Sequence, residues 1–192
     1  MKIGLVAEPW WVNLAVLVPV AVYFYCRRSA IRITAKQLVV VGVFATAFGL
    51  VEACVVVYLR AATGLLPGYP GTLSDVARLA PQTQLLGELP RSLVSLEVMR
   101  EAATMVMLVS TALLVPASGK NRVLVFLWAF AIWDIVYYAA LWATIRWPQS
   151  VRDLDVLFLI PEPWLAPVWF PVLVSALTLV AILLTRTTAA KA

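Results

Sequence analysis

VLVFLWAFAIWDIVYYAALWA, residues 123–143, decides how this chain must be read. Every residue in it is apolar or aromatic except Asp134. As a helix rising 1.5 Å per residue it would span the ~30 Å hydrocarbon core of a bilayer. An acid at such depth is costly unless it is paired, protonated or facing a wet cavity, which makes it a functional-site candidate by default.

The same pattern recurs on either side. LVVVGVFATAFGLV (38–51) leads directly into Glu52, and VSLEVMREAATMVMLVSTALLV (94–115) opens on Glu97, Arg100 and Glu101. The whole 192-residue chain is 63% hydrophobic and 13% charged, against about half and a quarter in a soluble domain. The expectation is an all-α, polytopic transmembrane helix bundle forming a single integral membrane domain over 1–192. About five spans are read, at 9–26, 38–59, 93–115, 123–146 and 164–185, with interfacial segments on the outer side. The first is read as a retained helix and not a cleaved signal, because RR closes it and no small-residue cleavage site follows. Pro19 within it suggests a mild kink.

Charge orients the bundle. RRSAIRITAKQ (27–37), SGKNR (118–122) and the tail with Arg186 and Lys191 carry basic residues and no acid. Lys and Arg concentrate in cytoplasmic loops, so the N-terminus should lie outside and the C-terminus in the cytoplasm of a cell's inner membrane. The long joints, 60–92 and 147–163, then both face outward. SDVARLA (74–80) reads as a short interfacial helix and DVLFLIPEPWLAPVWFP (155–171) as an interfacial or re-entrant segment broken by prolines. Trp10, Trp11, Trp147, Trp164 and Trp169 suit an outer aromatic belt.

The chain contains no histidine, which excludes haem ligation by His, His-based zinc sites and Ser-His triads. No basic run suggests nucleic acid, so the partners implied are the lipid bilayer and other membrane subunits. Cys26 and Cys54 fall near opposite ends of neighbouring spans, too far apart to bridge.

Counting along the spans brings the polar residues together. Glu52 should lie ~10 Å below the outer boundary, with Glu101 and Tyr138 ~12 Å below it and Asp134 a turn deeper. Glu97 and Glu101 share a helix face, with Arg100 between them, and Asp134, Tyr137 and Tyr138 are spaced i, i+3, i+4. Ala45, Gly49 and Ala53 form a ridge of small residues that lets a neighbouring helix approach. The candidate ligand- or ion-binding set is therefore Glu52, Glu97, Glu101, Asp134, Arg60, Arg100, Tyr137 and Tyr138. In the bland alternative Arg100 neutralises Glu97 or Glu101, Arg60 pairs with Glu52, the tyrosines cap Asp134, and the pairs only fasten the bundle. Four acids facing two arginines leave an excess to be relieved by protons, a cation or water.

REAATMVML (100–108), WDIVYY (133–138), LFLIPEPWLAPV (157–168) and VEACVVVYLR (51–60) resemble a family of bacterial polytopic inner-membrane proteins. That resemblance implies a bacterial inner-membrane setting and no particular activity.

Three functions are compatible with these residues. One is a membrane protein binding or passing protons or cations through an outward-facing carboxylate site. Another is a non-catalytic accessory subunit of a respiratory or photosynthetic complex. The third, less supported, is a metal-dependent intramembrane enzyme on lipid-like substrates. No cofactor is evident, although oxygen ligands would suit a divalent cation.

Overall fold

The structure is a computed structural model that describes residues 6–28, 33–64 and 91–189. The expected interfacial helix at 74–80 and the basic residues Arg32 and Lys191 lie outside the described residues.

The described chain is mostly helical. A 3-10 helix, Trp10–Val16, runs directly into α1, Leu17–Arg28. It is followed by α2 (Ala35–Gly64), α3 (Arg91–Leu114) and α4 (Gly119–Ile145). A hairpin of β1 (Leu154–Phe158) and β2 (Trp164–Pro167) precedes α5, Trp169–Ala189. Among the described residues, three stretches are long and apolar enough to cross a membrane: Trp10–Arg27, Ala35–Arg60 and Gly119–Ile145. The apolar part of α5, Trp169–Leu184, is shorter. Helix α3 has the length, but Glu97, Arg100 and Glu101 interrupt its apolar run.

Helix α4 is the axis of the bundle. It packs on α2, α3 and α5, while α1 packs on α5. Ser118 starts it by accepting a hydrogen bond from the Asn121 N–H, and Arg146 ends it in the left-handed conformation at φ 55°. The expected small-residue ridge is where α2 meets α4. Ala45 and Ala53 are fully buried, and a Cβ added at Gly49 would lie 2.7 Å from the Trp133 carbonyl oxygen. A backbone atom cannot swing aside as a side chain can. Gly49→Ala should therefore push the helices apart and cost about 1–3 kcal/mol, read as a lower unfolding midpoint in detergent. An unchanged midpoint would mean that the seam is loose.

The outward faces stay apolar: Val39, Val43 and Leu50 on α2, Met99 and Val106 on α3, and Leu177 and Val180 on α5 are all exposed. Such extended apolar surface suits lipid better than water. Among the described residues the interior divides into a large cluster around Ala45, Leu108, Val125, Ala129 and Ile182, a smaller one around Val57, Tyr138, Leu141 and Trp147, and a third of Ala7, Val12, Ala166 and Phe170.

Two expectations need correction. The last helix begins at Trp169 and not near 164, because 164–167 belong to β2. The proline-broken apolar segment is an ordered antiparallel hairpin, with Asp155 opposite Ala166 and Val156 opposite Leu165. Pro167 falls at its end and Pro171 in the first turn of α5, positions where a missing N–H costs little. The N-terminal segment extends the hairpin: Glu8 and Leu165 exchange backbone hydrogen bonds at 2.8 and 2.7 Å. Asn13 secures this segment by accepting from the N–H groups of Val6 and Ala7 and donating to the carbonyls of Ala7 and Trp10.

Candidate functional site

The helices and the hairpin enclose a cavity of about 110 Å³. Its walls include Glu52 from α2, Glu97, Arg100, Glu101 and Thr104 from α3, and Trp133, Asp134, Tyr137 and Tyr138 from α4. Asp155 and Phe158 from β1, Trp164 from β2 and Ser175 from α5 complete it. Seven of the eight sequence candidates thus line one space; Arg60 is the exception.

Arg100 organises the α3 side. Its guanidinium forms ion pairs with Glu52 across the helix seam and with Glu97 one turn back. Thr104 donates a further hydrogen bond to Glu52 at 3.3 Å. Glu101 faces the hairpin instead, where one of its carboxylate oxygens accepts the Leu159 N–H at 2.8 Å. Two adjacent acidic positions on one helix therefore do different work. Glu97 neutralises an arginine, and Glu101 holds the hairpin against the bundle.

On α4, Asp134 is buried and accepts from the Ser175 hydroxyl at 2.8 Å. The tyrosines do not cap it. Tyr138 donates to Asp155 at 2.8 Å, reaching up to the hairpin, and Tyr137 packs against Trp133 and edge-on to Tyr138. Nor does Arg60 pair with Glu52. Its guanidinium lies 4.2 Å from the centre of the Trp147 ring, in a buried position whose charge also acts on Asp155. Trp147 is consequently a buried partner for Arg60 and not a belt residue at the membrane surface. The physical reason differs: the hairpin brings Asp155 within reach of Tyr138, while Arg100 occupies Glu52 and the residue after the α4 cap, Trp147, lies under Arg60.

Asp155 is the main residue that sequence reasoning missed. It is 1% exposed, the most buried acid among the described residues. Burial pushes its carboxyl up to about 6, against the opposing pull of the Tyr138 hydrogen bond and the Arg60 charge. The signal was present, since an acid sits inside the apolar run LDVLFLI just as Asp134 sits inside its own. That run is too short for a span, and its length alone suggests an interfacial segment. Ser175 of α5 is the partner of Asp134.

Among the described residues that line the cavity, three carry a buried polar atom without a hydrogen-bond partner: Oδ1 of Asp155 and the indole N–H groups of Trp133 and Trp164. No group of three or more Cys, Asp or Glu among the described residues converges as metal ligands would. Cys26 and Cys54 are free thiols.

The chain matches no family model, and no curated protein or solved structure is significantly similar to it. The functional reading therefore rests on geometry and chemistry.

Proposed function

We propose that this is an integral membrane protein whose buried carboxylate cavity binds protons and exchanges them with the outer side of the membrane. The observation that carries the reading is the charge inventory of the site. Among the described residues, Glu52, Glu97, Glu101, Asp134 and Asp155 face Arg100 and the nearby Arg60, an excess of three acids around one largely buried space. Such an excess in low dielectric is relieved by protons or by bound cations. The acids are tied to separate partners, Arg100, Leu159, Ser175 and Tyr138, and do not point at one centre. That dispersal favours protons over a divalent cation.

In this reading all five helices cross the bilayer, α3 being admitted because its charged residues face the cavity and Arg100. The basic loops 27–37 and 118–122 lie in the cytoplasm, and the hairpin and joint 60–92 lie outside. The hairpin then covers the outer mouth of the cavity, and Asp155 is the acid through which protons reach Asp134.

The test uses purified protein in liposomes with an internal pH-sensitive dye and an imposed potential. Protons should enter faster than in protein-free vesicles. Asp134→Asn should fold, because the amide matches the protonated acid in size and can still accept from Ser175. It should bring the flux to the protein-free level and remove one carboxylic acid from the infrared spectrum. Unchanged flux and an unchanged carboxylic band in a folded Asp134→Asn protein would overturn the proposal.

A further inference from the structure

Next to the polar cavity runs an apolar groove of about 570 Å³. The two share walls at Ala15, Phe130, Phe158, Trp164, Val174 and Ser175, so a polar space and an apolar one lie side by side against the same side chains. From the shared wall the groove extends past Val18 of α1, Ala102 and Met105 of α3 and Leu127 of α4. Ala102 is exposed, so the groove reaches the apolar surface of the bundle. Together the two volumes fall in the ~300–1,000 Å³ range of small-molecule sites.

We infer that this space binds a lipid-soluble molecule of the quinol or quinone type: a neutral ring bearing hydroxyl or carbonyl oxygens, joined to one hydrocarbon tail. The unmet polar atoms choose the head. Trp133 and Trp164, both residues of the cavity lining, each carry a buried indole N–H without an acceptor, and Asp155 carries a buried Oδ1 without a donor. Leaving such groups unmet is costly, so a fitting ligand supplies acceptors for the indoles, as both quinone and quinol do, and in its quinol form a donor for Asp155 as well. A ring oxygen accepts from an indole, and a ring hydroxyl donates to Asp155. An ammonium head only donates and would leave both indoles unmet. An anionic head would meet the excess of acids, with Arg100 already held by Glu52 and Glu97.

The walls choose the ring. Phe130 and Phe158 lie with centroids 6.3 Å apart and planes nearly parallel, and Trp164 closes on Phe158 at 5.2 Å. The polar cavity alone is smaller than the ~150 Å³ that accepts a benzene ring, so the head must sit where cavity and groove meet. The tail then follows the groove toward the membrane. The inference is one of binding; it shares the membrane setting and the cavity with the proton reading but does not require proton flux.

The experiment follows tryptophan fluorescence of the full-length protein in nanodiscs. A benzoquinone with a decyl tail is compared with decylammonium and with the same benzoquinone lacking its tail. The tailed quinone should bind saturably, and its quinol should compete with it. Trp133→Phe should weaken it about five- to tenfold, the worth of one hydrogen bond. Ala102→Leu, which narrows the groove away from every polar group, should weaken the tailed quinone and spare the tailless one. Because fluorescence of Trp133→Phe differs in baseline, competition against the quinol provides a second measure for that variant. Equal affinity for decylammonium, or tailed-quinone binding unchanged by both variants, would overturn the inference. Saturable binding in a protein that fails the flux test would sink the proton reading alone, and flux without saturable binding would sink this one alone.

Discussion

Arg100→Leu should destabilise the protein by about 3–5 kcal/mol, the usual result of stripping one partner from a buried ion pair. The substitution removes the counter-charge of Glu52 on α2 and of Glu97 on α3 at once, and both carboxylates are buried in the cavity wall. Arg100→Lys keeps the charge but loses the fork that reaches both acids, so it should fall between wild type and Arg100→Leu. Adding Glu52→Gln and Glu97→Gln to Arg100→Leu should restore most of the loss, because no orphaned charge then remains. Thermal unfolding in a single detergent measures all three. An Arg100→Leu protein as stable as wild type would show that the triad contributes nothing to holding α3 on α2.

Asp155→Asn should instead stabilise the protein at neutral pH. The folded carboxyl titrates at about 6 and the free one at 3.8, so the folded state binds the proton more tightly than the unfolded state. Stability from this group is therefore fully present at low pH and is lost as pH rises from 3.8 through about 6. The difference amounts to about 3 kcal/mol at 1.36 kcal/mol per unit. Asparagine cannot ionise, so the variant should lack this slope and exceed wild type at pH 7 by up to that amount. Unfolding midpoints of the two proteins, compared from pH 4 to pH 7, should diverge as pH rises. Parallel curves would mean that Asp155 is ionised in the folded protein as readily as in the unfolded one. A stabilised variant would also mark Asp155 as a position where the fold gives up stability, a frequent sign of function.

Much of the site was legible because helices obey arithmetic. Glu52, Glu101 and Tyr138 could be set at similar depth by counting at 1.5 Å per residue, and they do line one cavity. Ala45, Gly49 and Ala53 could be read as a seam because only small residues repeat there, and Gly49 does meet the α4 backbone. Pairings were less legible. Arg60 is the partner that spacing on α2 suggests for Glu52, yet Arg100 takes it; which arginine reaches it depends on how far α3 is rotated about its axis, a quantity no spacing on α2 contains. Tyr138 follows Asp134 by one turn, yet it turns to Asp155 because the hairpin offers an acceptor that the helix alone does not.

The amino-acid sequence by itself determined the helices, the absence of histidine chemistry, and the burial of acids within apolar runs. Each of these follows from local properties: hydrophobic length, residue type and helical period. Only the tertiary structure decided that residues 154–167 fold as a hairpin over the bundle and bring in Asp155, Phe158 and Trp164. It also decided that Ser175 meets Asp134 and that Arg60 lies on Trp147. These contacts join residues far apart in the chain, and their geometry is set by how rigid helices pack, which local spacing does not encode.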